Sequence, residues 1–229
     1  NYSLSPLWEV PSGLAFPGYR RSYSGKAGVR NEIWIIHTVG CCNKIAEELS
    51  RLGSSFCLQY GMEGPFHFPH PYGCSQLGHD LTQTQQILAN LVHHPNAGGI
   101  LVLGLGCENN HLEAFQEVLG DWDPEHVKFL NTQDVQDELS AGLELLKKLT
   151  KRAAGFRRES IPLEELVVGL KCGGSDAFSG ITANPLLGHL SDTLISAGAS
   201  TILTEIPEMF GAEEIMLQRT PDNGTFQSM

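Results

Sequence analysis

The 229-residue sequence has no uninterrupted apolar segment of the roughly 20 residues that a membrane-spanning helix requires. Its first residues show no basic segment followed by an apolar one, so we expect no secretory signal there. Basic residues are scarce: 15 Lys and Arg stand against 26 Asp and Glu, which gives a formal net charge of −11. An acidic surface repels phosphate groups. We therefore expect a protein that binds neither membranes nor nucleic acids.

Cysteine is too sparse for a small disulfide-stapled scaffold, since only six cysteines are spread along the chain. Without a signal segment we expect reduced thiols and a cytoplasmic location. The apolar fraction of 41% and the charged fraction of 18% are ordinary for a globular protein with a real core. A small anionic substrate is compatible with this composition, because an acidic protein can contain a local positive pocket.

Short apolar runs alternate with helical patterns along most of the chain. The runs at 33–39, 100–104 and 166–170 are rich in Val, Ile and Leu and lie beside glycines, as buried strands do. Residues 43–52 have helical spacing with Gly53 as the predicted helix end, and residues 56–64 could form a second strand. The alternation predicts an α/β fold with a mainly parallel, Rossmann-like sheet and helices on both faces, in one or two α/β units.

Composition also predicts the domain limits. Residues 1–17 contain three prolines and no hydrophobic period, so we predict a linker there. A doubly wound domain that ended at residue 229 would be short of strands. We therefore predict a middle α/β domain at 18–157 and the beginning of a second, Rossmann-like domain at 158–229, and we expect the chain to be a fragment.

Three cysteines follow predicted strands at equivalent positions. Cys41, Cys107 and Cys172 each lie just past an apolar run beside glycine, and Cys74 lies in the loop HPYGCSQLG. Open parallel sheets bind ligands where the loops after the strands converge. Because thiolates suit iron, zinc and iron–sulfur clusters, we expect these four cysteines at or near a metal. The alternative is that cysteine packs as a small hydrophobe at strand ends, which we expect for Cys57.

Polar side chains near these cysteines are candidates for proton transfer and substrate binding. His70 lies between two prolines in the same loop as Cys74, where it could act as a base or could simply be solvated. Glu108 and Asn109 begin a helix after Cys107, where free N–H groups favour anions, although Asn109 could only cap that helix.

Two further segments carry groups that suit a polyhydroxy carboxylate. The Gly-rich segment 173–185 contains Ser175, Asp176 and Thr182, whose oxygens can bond substrate hydroxyls. Arginine presents a two-pronged donor to a carboxylate, although an arginine is often only a surface residue. The candidate carboxylate clamp consists of Arg20, Arg21, Arg30 and Asn31.

Taken together, these segments resemble the altronate/galactarate dehydratase family. The matching segments are GYRR, GKAGVRN, TVGC with Asn43, HPYGCSQLG, HPNAGGILVLGLGCENN, KCGGSDAFSGITANPLLG and TEIPEMFGAEE, which lie across residues 18–215. HPYGCSQLG and GLGCENN are closer to the altronate branch of the family. One departure is visible after the arginines, where Tyr23, Ser24 and Gly25 replace an Asp-Gly pair that is usual in the family.

The resemblance implies a cytoplasmic, metal-dependent hydro-lyase. It would remove water from altronate or a related sugar acid to give a 2-keto-3-deoxy acid, with Fe²⁺, or alternatively Mn²⁺ or an iron–sulfur cluster. The longer family chain would add a small N-terminal β domain and a complete C-terminal Rossmann-like domain, and we expect a homodimer. The site would use Cys41, Cys74, Cys107 and Cys172 for the metal, His70, Glu108 and Asp176 for catalysis, and Arg20, Arg30, Asn31, Asn109, Ser175 and Thr182 for the substrate.

Two other functions fit the same segments. One is a non-catalytic module of a larger lyase that serves in dimerisation or ligand binding. The other is a sulfo-lyase that acts on sulfolactate, since such enzymes are similar in these motifs and the leaving group is not fixed by them.

Overall fold

The computed structural model describes residues 7–174 and 176–228. The chain divides into two compact units. Pro17–Ser160 forms one, which we call the central unit, and the described parts of residues 1–16 and 161–229 form the other, which we call the C-terminal unit. Among the described residues, no helix combines the length and the apolarity needed to cross a bilayer.

Strands and helices alternate along the chain, and the predicted α/β class is confirmed. The strands are β1 (Ala15–Arg20), β2 (Ala27–Gly28), β3 (Glu32–His37), β4 (Phe66–His67), β5 (Ala97–Gly104), β6 (Val127–Asn131), β7 (Glu159–Pro162), β8 (Val167–Leu170) and β9 (Ser200–Leu203). The α-helices are α1 (Asn43–Gln59), α2 (Gly78–Val92), α3 (Leu112–Leu119), α4 (Glu138–Ala153), α5 (Ala183–Ser196), α6 (Glu213–Gln218) and α7 (Asn223–Ser228).

The main sheet of the central unit is parallel and has the strand order β4-β3-β5-β6. Alternate side chains of its strands enter two apolar layers, because a strand points successive residues to opposite faces. Ile33 and Ile35 pack with apolar residues of α1 and α4, whereas Trp34 and Ile36 pack with those of α2 and α3. All of β5 is buried because helices cover both faces of the sheet. The continuous apolar runs thus place the sheet between two helical layers.

Helix α1 is longer than the sequence predicts. It passes through Gly53 and ends at Gln59, so the prediction of a second strand within 56–64 is wrong. A Cβ added to Gly53 would lie 3.0 Å from Cγ of Pro65 and 3.1 Å from Cδ1 of Leu146. Gly53 therefore allows close packing within the helix and does not end it. Cys57, in the last turns of α1, is buried as predicted.

In the C-terminal unit, β8 and β9 pair in parallel and are joined by a connection that contains α5. The predicted linker contributes to this unit. The backbone N–H of Trp8 donates to Oγ of Ser196 at 2.9 Å, and the Trp8 ring lies 4.5 Å from the ring of His189. The described part of residues 1–17 therefore packs on α5, a contact that its proline-rich composition does not predict.

Arg21 is fully buried in the central unit. Its guanidinium donates to three backbone carbonyls and one side-chain amide over 2.6–3.3 Å, namely those of Pro95, Arg30, Asn96 and Asn31. Burial lowers the pKa of Arg21, but the group stays cationic because the pKa of arginine starts so high. Arg21 therefore ties residues 30–31 to residues 95–96, and the prediction that it clamps a substrate carboxylate is wrong.

Replacing Arg21 with leucine should lower the free energy of unfolding by at least about 3 kcal/mol, because several buried acceptors would lose their donor. Urea unfolding measures this change. Arg51→Leu is the matched control, since the Arg51 side chain is 67% exposed and should matter by no more than about 0.5 kcal/mol. An Arg21→Leu protein as stable as the control would contradict the role given to Arg21.

Candidate functional site

The carboxyl edge of the main sheet gathers three of the predicted cysteines. Cys41 follows β3 and Cys107 follows β5, and these two strands pair in parallel, so their following loops leave the sheet at the same edge. Cys74 lies between β4 and α2 in a segment that we call the cysteine loop (residues 68–77). This loop packs against the turn after β3.

The turn after β3 and the cysteine loop touch through their backbones. The N–H of Gly40 donates to the carbonyl oxygen of Tyr72 at 2.8 Å. A Cβ on Gly40 would lie 2.6 Å from the carbonyl oxygen of His70, and a Cβ on Gly73 would overlap the carbonyl oxygen of Thr38. Gly73 also has a φ of +97°, in the region that favours glycine. Two glycines therefore allow the approach that places Cys41 beside Cys74.

Asn43 links the same two segments through its side chain. Its Nδ2 donates to the carbonyl oxygen of His70 at 2.9 Å, and its Oδ1 accepts from the backbone N–H of His70 at 3.1 Å. Nε2 of His37 lies 2.5 Å from the same Oδ1. Burial lowers the pKa of His37 to about 4, so its imidazole is neutral and donates through Nε2. One amide thus fixes the backbone of His70 on both sides.

The His70 ring has a defined tautomer. Its Nε2 lies 2.8 Å from the carbonyl oxygen of His37, which can only accept, so Nε2 carries the proton. Its Nδ1 accepts from the backbone N–H of Tyr72 over a longer distance of 3.2 Å. The lone pair of His70 is therefore on Nδ1, held by one long hydrogen bond on a half-buried side chain.

Glu108 is buried and binds its own loop. The N–H groups of Leu105 and Gly106 donate to its carboxylate at 2.9 and 2.6 Å, and the hydroxyl of Thr38 donates at 2.9 Å. Burial raises the pKa of Glu108, but these hydrogen bonds outweigh it, so the pKa is lowered. Glu108 is therefore an anion whose oxygens already accept hydrogen bonds. Through Thr38, which follows β3, it ties the end of β3 to the turn that carries Cys107.

The residues after Glu108 join this turn to the cysteine loop. The N–H of Asn109 donates to the carbonyl oxygen of Cys74 at 3.1 Å, and that of Asn110 donates to Gly73 at 3.3 Å. Nδ2 of Asn110 donates to the carbonyl oxygen of Thr38 at 2.9 Å. Asn109 itself is exposed. The turns after β3 and β5 and the cysteine loop therefore form one hydrogen-bonded assembly.

The cysteine thiols of the central unit divide by exposure. Cys41, Cys74 and Cys107 are exposed, whereas Cys42 and Cys57 are buried. Desolvation raises the pKa of the Cys41 thiol, and its hydrogen bond with Cys74 and the nearby Cys107 raise it further. A cation placed beside Cys41 would offset this rise, because it favours the thiolate.

Sulfur is the donor that iron and zinc accept from cysteine, so the chemistry of the three exposed thiols fits a metal. Their arrangement is less complete. Across residues 7–174 and 176–228, no group of three or more His, Cys, Asp or Glu side chains is placed so that it could hold a metal ion. The donor type thus matches an iron site, while the described side chains present fewer than three ligands to one point.

The residues predicted to clamp a substrate carboxylate do not lie at the thiol edge. Arg30 and Asn31 precede β3, whereas Cys41 follows it, and a six-residue strand spans about 20 Å. Asn31 is occupied by Arg21 and by the carbonyl oxygen of Ala153. Their closeness to Cys41 in sequence is misleading because the strand carries the chain across the sheet.

The other arginine of the predicted clamp has an acidic partner instead. Nε of Arg20 lies 3.1 Å from Oε1 of Glu159 in a partly exposed ion pair. Nη1 of Arg20 donates to the carbonyl oxygen of Gly25 at 2.8 Å. These contacts fix Arg20 along β1 and the turn that follows it.

The remaining predicted site residues belong to the C-terminal unit. Cys172 is exposed, and its N–H donates to Oε2 of Glu205 at 3.2 Å. Asp176 accepts from the N–H groups of Phe178 and Ser179, which lower its pKa, and the hydroxyl of Thr182 donates to the carbonyl oxygen of Phe178. Asp176 and Thr182 thus stabilise their own turn. Ser175 lies outside the described residues, and a metal role for Cys172 stays a prediction.

Sequence reasoning missed the polar residues that end β6 at the same edge. Nε2 of Gln133 lies 3.9 Å from Sγ of Cys107, and Nδ2 of Asn131 donates to Asp134 at 3.0 Å. The sequence does contain a pattern that indicates these residues, because Asn-Thr-Gln-Asp follows an apolar strand just as the cysteine turns do. These side chains form the border of the site next to Cys107.

Two family descriptions match the chain. Residues 18–154 match "D-galactarate dehydratase/Altronate hydrolase, second domain", and residues 163–229 match "D-galactarate/Altronate dehydratase, C-terminal". The chain is 56% identical to the altronate dehydratase of Bacillus subtilis over 236 residues, which cover 100% of the chain. It is 51% identical to the altronate dehydratase of Escherichia coli over 212 residues, or 92% of the chain.

A third relative is more distant. The galactarate dehydratase (L-threo-forming) of Escherichia coli is 32% identical over 229 residues, which cover 94% of the chain. The matched regions are 47% of the Bacillus subtilis relative and 43% of each Escherichia coli relative. The chain therefore spans less than half the length of these curated relatives.

Replacing Gly73 with alanine should lower the free energy of unfolding by about 2 kcal/mol more than Gly78→Ala does. The reason is that Gly73, unlike Gly78, lies against the backbone of another segment. Gly78 is the matched control: its φ is +56°, and an added Cβ would meet no atom within 4 Å. Urea unfolding of both variants measures the difference. Equal losses would show that the contact with Thr38 does not constrain the site.

Proposed function

Because the chain belongs to the D-galactarate dehydratase/altronate hydrolase family, we propose that it is part of a sugar-acid dehydratase that acts on altronate. Identities of 51–56% to altronate dehydratases, against 32% to a galactarate dehydratase, favour altronate over galactarate. The observation that carries the proposal is that the exposed Cys41, Cys74 and Cys107 lie on hydrogen-bonded neighbouring segments at the carboxyl edge of a parallel sheet.

The proposed reaction is a β-elimination. It breaks the C–H bond next to the substrate carboxylate and the C–O bond of the adjacent hydroxyl carbon. The proton and the hydroxyl group leave as water, and the resulting enol becomes the 2-keto-3-deoxy acid. The protein must therefore accept a proton from carbon and stabilise the negative charge that develops on the carboxylate.

We assign the proton acceptor to Nδ1 of His70. The bond from Nε2 to the carbonyl oxygen of His37 orients the ring and keeps the lone pair on Nδ1. The 3.2 Å bond from the Tyr72 N–H is the weaker of the two, and catalytic hydrogen bonds are often rearranged once substrate binds. The carboxylate of Glu108 is fully used within its own loop, so in this proposal it positions the turn of Cys107 and does not take up the proton.

We propose Fe²⁺ as the metal, with Mn²⁺ as the alternative. The neighbouring thiolates of Cys41 and Cys74 would hold it, and Cys107 would lie beside them. A bound divalent ion would act as a Lewis acid on the substrate carboxylate or hydroxyl. It would also favour ionisation of Cys41, whose pKa is raised by desolvation and by its sulfur neighbours. Asn109 could bind a substrate hydroxyl, since its Oδ1 accepts no hydrogen bond within the described residues. A homodimer and a cytoplasmic location stay predictions from the family resemblance.

Serine in place of both Cys41 and Cys74 should remove iron binding, since a hydroxyl is a poor ligand where a thiolate is required. Anaerobic titration with ferrous iron, followed by the thiolate-to-iron charge-transfer absorption, should show a band in the unmodified protein that the Cys41→Ser/Cys74→Ser variant lacks. Formation of a 2-keto acid from altronate should fall about 10- to 100-fold in each single variant.

Cys57→Ser is the control for these variants, because the Cys57 thiol is buried 3.8 Å from Oγ1 of Thr150. It should keep both the iron band and the activity. An unmodified protein without the band, or a double variant that retains it, would contradict the metal proposal. Turnover of sulfolactate in place of altronate would instead contradict the dehydratase assignment.

His70→Gln should lower turnover of altronate by about 10²- to 10⁴-fold, as loss of a general base does, while leaving the iron absorption in place. Added imidazole should restore part of the activity, because a free base can enter the vacated space. His79→Gln, at an exposed position at the start of α2, is the control and should behave like the unmodified protein. Activity within about threefold of normal in His70→Gln would exclude His70 as the base.

A further inference from the structure

A cavity of about 590 Å³ opens at the amino edge of the central unit, at the opposite end of β3 from the thiols. Its lining includes Tyr19, Arg30, Tyr60, Glu63, Arg157 and Arg158. This volume lies within the range of small-molecule sites in proteins, about 300–1,000 Å³. The proposed reaction leaves the cavity without a role.

The charges of the cavity are only partly balanced. Nη1 of Arg30 lies 2.9 Å from Oε1 of Glu32 and 4.0 Å from Oε2 of Glu63. For Arg157 and Arg158, no acidic side chain within the described part of the chain lies at ion-pair distance. Three arginines thus face two glutamates, which leaves a local excess of one positive charge on a chain whose net charge is −11.

Backbone contacts hold both of the unbalanced arginines in place. Nη1 of Arg157 donates to the carbonyl oxygens of Ala154 and Phe156 at 2.6 and 3.2 Å. Nη1 of Arg158 donates to the carbonyl oxygen of Pro17 at 2.5 Å, and its guanidinium lies 4.8 Å from the centre of the Tyr19 ring. Each guanidinium is anchored by one nitrogen, and its other nitrogens remain available to a ligand.

We propose that this cavity binds a small anion that carries hydroxyl groups, either a sugar acid or a sugar phosphate. Arg157 and Arg158 would bind the anionic group through charge-assisted hydrogen bonds. The carboxylate of Glu63, which is 76% exposed, and the hydroxyls of Tyr19 and Tyr60 would bind the ligand's hydroxyls. A ligand here lies about 20 Å from the cysteine turns, the length of β3, so this site is separate from the proposed catalytic site.

Calorimetric titration of the protein with inorganic phosphate and with gluconate tests the proposal. At least one of the two anions should bind saturably. The Arg157→Gln/Arg158→Gln variant should bind that anion at least about tenfold more weakly, since charge-assisted bonds are lost. Glu63→Gln should bind it several-fold more tightly, because the amide keeps an acceptor oxygen for the ligand's hydroxyls while a negative charge is removed from the cavity. These opposite effects keep the test informative even if loss of the Arg158–Pro17 bond destabilises the double variant.

Two control variants distinguish binding in this cavity from a general effect of net charge and from binding at the thiol edge. Arg51→Gln/Lys147→Gln removes the same number of positive charges from exposed helix positions and should bind the anion as the unmodified protein does. Cys41→Ser/Cys74→Ser should also bind it unchanged. Saturable binding of phosphate alone or of gluconate alone identifies the anionic group and supports the proposal. No saturable binding of either, equal weakening in the charge control, or loss in the cysteine variant would overturn it.

Discussion

The close contact between two backbones, the turn after β3 and the cysteine loop, is the constraint on which the thiol edge depends. Gly40 and Gly73 have no side chain at the points where the segments touch, and any Cβ there would enter the opposite backbone. Neither segment belongs to a strand or an α-helix, so the hydrophobic layers alone do not fix their separation. Backbone contact does so, and the distance between Cys41 and Cys74 follows from it.

Side-chain hydrogen bonds also hold these segments together. Asn43, Glu108 and Asn110 each bond groups from a neighbouring turn, so that the segments after β3 and β5 and the cysteine loop hold one another. Buried polar groups of this kind are costly when unpaired, which makes the assembly cooperative. A substitution at any of these side chains should therefore disturb all three thiols rather than the nearest one, since none of the turns is held independently.

The parts of the fold that the sequence predicts are those decided by local periodicity. Ile33–Ile36 alternates between two apolar layers, and the glycine turns after β3 and β5 carry exposed thiols while Cys57 is buried. The failures are at positions decided by distant contacts. Local spacing predicts a helix end at Gly53, which instead faces Pro65 and Leu146, and a ligand clamp at Arg21, which carbonyls from residues 95–96 surround. Local patterns cannot distinguish these roles.

The two ends of β3 carry opposite chemistry, and this separation bears on the proposed mechanism. The arginines of the cavity lie at the amino end of β3, so they cannot stabilise charge that develops beside Cys41 at its carboxyl end. Desolvation and the neighbouring sulfurs raise the pKa of the Cys41 thiol, and the anionic carboxylate of Glu108 adds negative charge to the same edge. An anionic substrate would meet repulsion at this edge unless a cation accompanied it. In the proposed reaction, a metal would therefore help to admit a sugar acid as well as polarise it.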